Sequence, residues 1–123
     1  MEEIHTHSAP EAIGPYSQAI RSGNLVFTSG QIPISPATGE LAGDDILSQA
    51  EQVIKNIQAV LSAAGSGLER AVKTTCFLAD MSDFAQFNQV YAKYFTQKPA
   101  RSCVAVKELP KRVLCEVEVI AEV

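Results

Sequence analysis

Arg101 is the residue whose type and position most clearly suggest binding chemistry. It follows Pro99 and Ala100 at the start of a predicted strand, so its guanidinium projects from a rigid base. A planar guanidinium fork suits a carboxylate, which it grips with two parallel hydrogen bonds. The position therefore predicts a site for a small anion. A surface or salt-bridged arginine is the alternative that a lone arginine leaves open.

Glu116 is a candidate for proton transfer. It lies among apolar neighbours in a strand-like segment, and burial there would raise its pKa toward neutrality. A carboxylate of that kind can orient or activate a water molecule. Glu118 and Glu122 occur in the same alternating pattern, so spacing does not separate the three glutamates.

Cys103 lies two residues after Arg101 and hence on the same strand face. Its thiol could line a pocket, or act as a nucleophile if its pKa were depressed, but no triad pattern accompanies it and inert packing is the favoured interpretation. Cys76 and Cys115 are predicted as core residues. The cysteines are odd in number and include no C-x-x-C pair, which indicates reduced thiols rather than disulfides or a zinc cage.

The other polar motifs carry weaker signals. His5 and His7 share one strand face, but two imidazoles without a third ligand make a weak metal site, so we expect no metal. Residues 14–18 and 29–31 each combine a turn-forming glycine with polar groups, and either could offer backbone N–H donors to a ligand or be an ordinary turn. No nucleotide-binding fingerprint is present, so no nucleotide cofactor is expected.

Hydrophobic periodicity and turn residues predict the elements that must position these side chains. A β-hairpin spans residues 19–28, a surface loop covers 32–43, and an amphipathic helix runs from a cap at Asp44 or Asp45 to Gly65. The second half of the chain is predicted as a strand at 71–79, a helix at 84–95 capped by Ser82, and strands at 102–108 and 113–122. The predicted order is β-β-α-β-α-β-β.

The last predicted strand indicates how the chain associates. Its odd-numbered residues from Val113 to Ala121 are small or apolar and should meet the helices. The opposite side mixes Leu114 and Ile120 with glutamates, which fits a subunit interface or a pocket wall better than a solvated surface. We therefore expect an oligomer whose sites open between chains.

Size and charge limit the class of protein. The 123 residues, 46% hydrophobic and 20% charged, suit one globular domain spanning residues 1–123. The net charge of -4 and the scattered cations argue against nucleic acid as a partner. No apolar run approaches the roughly 20 residues of a membrane span, and the acidic start is unlike a signal peptide, so a cytoplasmic protein is expected.

Four motifs in order resemble those of the RidA/YjgF family, the reactive-intermediate imine deaminases. They are AIGPYSQA at 12–19, TSGQIP at 28–33, KTTCFLAD at 73–80 and PARSCV at 99–104. The likeness spans nearly the whole chain. It implies an α+β, chorismate-mutase-like fold, in which a mixed sheet is backed by two helices and three chains form a homotrimer with sites in the clefts between subunits.

The resemblance also implies roles for residues. Arg101 would bind the substrate carboxylate, and Glu116, chosen over Glu118 by the family pattern, would help to position the attacking water. The remaining positions that fall where family members line the pocket are Tyr16, Ser29, Gly30, Asn88 and Cys103. The connection at 95–99 is several residues shorter than in many members, which would reshape the pocket mouth.

The implied substrates are 2-iminopropanoate and 2-iminobutanoate, which would be hydrolysed to 2-oxo acids and ammonia without a cofactor. An iminium carbon is already electrophilic, so a held carboxylate, a placed water and a proton path are the main requirements. Two alternatives remain open at this point. One is a regulatory module that binds 2-oxo or 2-imino acids without turnover, and the other is a ribonuclease or translation inhibitor, which the acidic charge disfavours.

Overall fold

The computed structural model describes residues 1–123, which form a mixed sheet covered on one face by two helices. In chain order the elements are β1 (Glu2–Ile4), β2 (Ala19–Ser22), β3 (Leu25–Thr28), α1 (Ile46–Ala63), β4 (Ala71–Leu78), α2 (Phe84–Tyr94), β5 (Ala100–Ala105) and β6 (Cys115–Glu122). The six strands lie in the spatial order β1-β2-β3-β6-β4-β5. Only β4 and β5 are parallel, and β5 lies at one edge. This architecture confirms the predicted fold class.

The N-terminal strand β1 adds to the predicted order. It pairs antiparallel with β2, and Ile4 at its end is buried. Three residues are too few for an alternating pattern to identify a strand. The hairpin that follows is as predicted: Ser22 pairs with Leu25, and Gly23 makes the turn with a φ of 63°. Glycine adopts such a backbone more readily than any other residue because it has no Cβ.

The long helix α1 forms because apolar residues recur on one side and both ends are punctuated. The Asp45 carboxylate accepts a hydrogen bond from the Ser48 amide at 2.8 Å, so Asp45 rather than Asp44 is the N-cap. Gly65 follows the C-cap with a φ of 79°. On the buried side the amide of Asn56 donates to the carbonyls of Ile32 and Ile34 at 3.0 and 2.9 Å, which ties the loop at 32–43 to the helix.

The second helix begins differently from the prediction. A short 3-10 turn, Met81–Asp83, precedes α2, and the Asp80 carboxylate accepts from the Ser82 amide at 2.8 Å. Asp80 therefore caps this 3-10 turn, whereas the N-cap of α2 is Asp83, which makes no side-chain capping bond, so Ser82 is not the cap. Glu51 of α1 accepts hydrogen bonds from Lys93 and Tyr94 of α2, and these bonds join the two helices.

Strand β6 alternates as predicted between two environments. Cys115, Val117, Val119 and Ala121 are buried beneath the helices, on what we call the helix face. Glu116, Glu118 and Ile120 are half-buried on the opposite side, which we call the open face. The open face also carries Phe27 and Val104, which are 41% and 46% exposed. It is the unpartnered apolar side of the sheet.

The boundaries of the last two strands differ from those predicted. β5 begins at Ala100 rather than residue 102 and ends at Ala105, so Arg101 lies within the strand and pairs with Thr74 of β4. β6 begins at Cys115 because a 3-10 turn, Pro110–Arg112, precedes it. Lys111 and Arg112 there each have a φ of 55°, which no strand can accommodate. None of the helices is of the length and apolar character that crossing a membrane requires.

Candidate active site in two halves

Arg101 is held in place by helix α2. Its Nη1 donates to the Asn88 Oδ1 at 2.8 Å, and the guanidinium carbon lies 4.7 Å from the centroid of the Tyr91 ring and 5.6 Å from that of Phe84. A guanidinium over an aromatic face is stabilised by the ring quadrupole. Since Asn88 occupies one Nη1 proton, the other donors of the fork are free for a ligand.

Tyr91 is a supporting residue that sequence reasoning placed only in the apolar pattern of the helix. Its hydroxyl hydrogen-bonds to the Thr74 Oγ1 at 2.7 Å in the core, and Thr74 pairs with Arg101 across the two strands. The ring beneath the guanidinium is therefore fixed at both ends. A tyrosine and a threonine at buried positions are the sequence signal, because a buried hydroxyl requires a partner.

Cys103 shares the helix face with Arg101 and lies opposite Cys76 in the register of β4 and β5. The neighbouring Cys76 thiol and the charge of Arg101, opposed by burial, lower the pKa of Cys103 to about 7. The same contact and burial raise the pKa of Cys76, and burial raises that of Cys115 to about 12. Both are fully buried, which confirms them as core residues.

The short connection before β5 contributes to the surroundings of Arg101. It forms part of an open groove of about 390 Å³, which is lined by Tyr91, Phe95, Thr96, Lys98, Pro99 and Arg101. Lys98 has a φ of 52°, which allows the chain to turn tightly into the strand. Arg101, Asn88, Cys103 and this groove form one group, which we call the arginine half-site.

Glu116 lies on the open face of the sheet, against Gly30. Burial, followed by the charge of Glu118, raises its pKa above the ordinary glutamate value. A Cβ at position 30 would lie 2.0 Å from the Glu116 Oε2, so only glycine leaves room for this carboxylate. Gly30 does not have a positive φ, which means that close approach rather than a turn requires it. This contact distinguishes Glu116 from Glu118, which spacing alone did not.

A cavity of about 290 Å³ adjoins Gly30 and is also lined by Tyr16 and Glu11. Tyr16 is half-exposed. Ser29 does not turn its hydroxyl into this cavity, because its Oγ donates to the Ser17 carbonyl at 2.5 Å and its amide donates to the Gln18 carbonyl at 2.9 Å. Ser29 thus fastens the Tyr16 segment to the end of β3. Glu116 does not line this cavity and adjoins it through Gly30. We call Tyr16, Ser29, Gly30 and Glu116 the glutamate half-site.

A single chain does not bring the two half-sites together. Arg101 points to the helix face, where it contacts α2, and Glu116 points to the open face, because alternate residues of a strand project to opposite sides. The arginine half-site can grip a carboxylate, and the glutamate half-site can hold a water molecule and exchange a proton. Three side chains of types that can bind a metal ion converge elsewhere and belong to neither half-site: His5, His7 and Glu11. Of these, Glu11 borders the same cavity as Tyr16.

Comparison with known proteins identifies the family. Residues 6–123 match the family model described as Endoribonuclease L-PSP. The chain is 55% identical to a RutC family protein of Pyrococcus horikoshii over 121 residues, covering 98% of this chain and 96% of that protein. The crystal structure of the E. coli YjgF gene product is 46% identical with a TM-score of 0.95, covering 99% of this chain and 98% of that one. E. coli TdcF with bound serine is 44% identical with a TM-score of 0.95, covering 100% and 99%. The chain therefore belongs to the RidA/YjgF family.

Proposed function

We propose that this protein hydrolyses reactive 2-imino acids, such as 2-iminopropanoate and 2-iminobutanoate, to 2-oxo acids and ammonia. The observation that carries the proposal is the held guanidinium of Arg101. It is oriented by Asn88 and Tyr91 and retains free donors beside an open groove. A small acid with a carboxylate next to its reacting carbon fits such a fork. Serine, which is bound to the relative TdcF, is likewise a small acid with a carboxylate on its α-carbon.

The proposed reaction needs a base of raised pKa, and Glu116 meets that requirement. Water adds to the iminium carbon as the carboxylate accepts one of its protons, and the electron pair of the C=N bond passes to nitrogen. Protonated Glu116 then donates to that nitrogen. The C–N bond breaks as the hydroxyl becomes a carbonyl, and its proton leaves with ammonia as ammonium. Iminium and water thus give the 2-oxo acid and ammonium without an oxidant or a metal.

Two half-sites on opposite sides of the sheet require a second chain. We place the complete site between neighbouring subunits of a homotrimer, where the arginine half-site of one chain faces the glutamate half-site of the next. Two features support this arrangement: the open face carries exposed apolar residues, including Phe27 and Val104, and β5 is an edge strand. An apolar face of this kind is stabilised by burial against another chain.

The first experiment follows turnover of an imine generated in situ by an amino acid oxidase, with a carbonyl trapping reagent competing for the imine. We expect the wild-type protein to speed 2-oxo acid release, and Arg101→Lys to lose most of that effect because an ammonium lacks the planar fork. Arg21→Lys is the matched control, since Arg21 donates only to the Gly23 carbonyl at 3.2 Å in the hairpin. An unchanged rate with wild-type protein would contradict the deaminase proposal.

The same preparation separates the alternative functions. Binding of pyruvate by calorimetry without any turnover would favour a regulatory module. RNA cleavage that weakens steeply with salt would favour a nuclease, although a net charge of -4 offers no general attraction for phosphate. Either result, without imine hydrolysis, would overturn the proposed function.

A second experiment tests whether the site is shared. Arg101→Ala and Glu116→Gln chains are each expected to be inactive and to form homotrimers by sedimentation. When they are unfolded together and refolded, every mixed trimer regains one intact site, so random assembly restores about a quarter of wild-type activity. No recovery in trimers shown to be mixed would refute the shared site, and a stable, active monomer would do so as well.

A further inference from the structure

The N-terminal segment brings together three metal-ligating side chains. His5 and His7 follow β1, and Glu11 lies four residues beyond His7. The sequence showed only two imidazoles, which are too few for a defined site. In the structure the Glu11 carboxylate supplies a third ligand, and the donor atoms of all three residues lie within 4.8 Å of one another.

The Glu11 carboxylate lies between the two imidazoles. Its Oε2 is 2.8 Å from the His5 Nε2, and its Oε1 is 3.0 Å from the His7 Nδ1. The two rings meet edge to face with centroids 4.8 Å apart. Zinc binds nitrogen and oxygen ligands at about 2.0–2.2 Å, so donors around it lie roughly 3–3.5 Å apart. Small side-chain movements would therefore convert the hydrogen-bonded cluster into a coordination sphere.

The backbone that carries these ligands is held by hydrogen bonds to the buried side chain of Gln18. The Gln18 side chain, only 2% exposed, accepts from the Thr6 amide at 2.7 Å and donates to the Thr6 and Pro10 carbonyls at 3.1 and 2.7 Å. Thr6 lies between the two histidines, and Pro10 immediately precedes Glu11. Ligands on a fixed backbone lose less conformational entropy on binding an ion than ligands on a free chain.

We propose that His5, His7 and Glu11 bind a divalent transition-metal ion of the zinc class, with a further coordination position open to water. Histidine and carboxylate ligands suit this class of ion rather than Ca²⁺ or Mg²⁺, which prefer all-oxygen sites. Because Glu11 also borders the cavity beside Tyr16 and Gly30, a bound ion would fix one wall of the glutamate half-site. The ion takes no part in the hydrolysis proposed above, and the metal site stands independently of it.

Cobalt is the probe, because Co²⁺ substitutes for zinc and absorbs visible light according to its ligands. The untagged full-length protein, freed of metal with a chelator, is titrated with Co²⁺ and then with Zn²⁺ as a competitor. We expect one equivalent per chain with the visible bands of a low-coordinate nitrogen–oxygen site. Calorimetry with Zn²⁺ alone should give the same stoichiometry.

Substitutions then assign the ligands. His7→Ala and Glu11→Gln should each weaken Zn²⁺ binding by at least about tenfold, a loss that removal of even an outer partner can produce. Glu40→Gln, in an exposed loop, is the matched carboxylate control and should bind as wild type. The proposal is overturned if Co²⁺ gives no visible bands, if both ligand variants bind like wild type, or if a thiolate-to-cobalt charge-transfer band places the ion on a cysteine. Because all three ligands are exposed, the variants should unfold at the wild-type midpoint.

Discussion

Replacing Gly30 by alanine should disable the glutamate half-site without unfolding the protein. The new Cβ would lie 2.0 Å from the Glu116 Oε2, whereas ordinary contact begins at 3.4 Å, so the oxygen must move by at least 1.4 Å. The atom that must move is the end of a flexible side chain rather than backbone. Rotating Glu116 away from a favoured conformation costs about 0.5–1.5 kcal/mol. Alanine also restricts the unfolded chain more than glycine does, which offsets this cost by about 0.4–1 kcal/mol.

The effect on activity should be much larger than the effect on stability. A misplacement of about 1 Å in a catalytic group can cost about 100-fold in rate, which corresponds to roughly 2.7 kcal/mol of transition-state stabilisation. We therefore expect Gly30→Ala to lower kcat/KM for imine hydrolysis by about two orders of magnitude. The urea unfolding midpoint should correspond to a change in the free energy of unfolding of less than about 1 kcal/mol.

Gly67 provides the matched control. A Cβ there would lie 2.5 Å from the Glu69 Oε1, and Gly67 has an extended backbone with a φ of -171°. Gly67→Ala thus displaces a glutamate of the same kind at a place remote from either half-site, and it should keep full activity. In a Glu116→Gln background, Gly30→Ala should cost little further activity, since its effect acts through that carboxylate. Wild-type kcat/KM for Gly30→Ala, or a full additional loss in the double variant, would refute the reasoning.

Three other predictions follow from burial and hydrogen bonding. Because burial raises the pKa of Glu116, activity should fall on acidification at a higher pH than an ordinary glutamate would give. Above that pKa the buried, ionised carboxylate destabilises the folded state, so Glu116→Gln should raise the unfolding midpoint at neutral pH. An unchanged or lower midpoint would contradict the burial of Glu116. Alkylation of Cys103, followed by mass spectrometry, should be half-maximal near pH 7, while Cys115, with a pKa of about 12, should react only on unfolding; equal labelling of both would contradict the assignment. Asn56→Leu should lower the free energy of unfolding by about 2–4 kcal/mol, because two loop carbonyls lose their donor, and a loss below 1 kcal/mol in urea would contradict this role.

The elements that the sequence predicts best are those whose pattern repeats over several turns or pairs. The helix from Asp45 to Gly65 and the alternation of β6 depend on apolar spacing that survives in any compact fold. Short or tertiary features escape this signal. Strand β1 has three residues and depends on its pairing with β2, and the second helix begins after Asp83 rather than Ser82 because a 3-10 turn precedes it.

The candidate site was predictable as residue types and not as an arrangement. Arg101 and Glu116 were both named from the chain, but only the structure places them on opposite faces of the sheet. The support of Arg101 by Tyr91 depends on how a helix packs over a strand pair, which spacing within either element does not encode. The need for glycine at position 30 likewise arises from a strand that is distant in sequence.

The alternation of β6 also limits the pairing registers that this strand can adopt in a folded chain. A slip of one residue in its pairing would turn every side chain to the other face and bury glutamates where Val117 and Val119 now pack. Buried unpaired carboxylates are too costly for such a register to persist. The bridge between Gln31 and Val117 fastens the same register next to Gly30. The apolar residues that hold β6 in register therefore also keep Glu116 on the open face, although its exact position there still depends on Gly30.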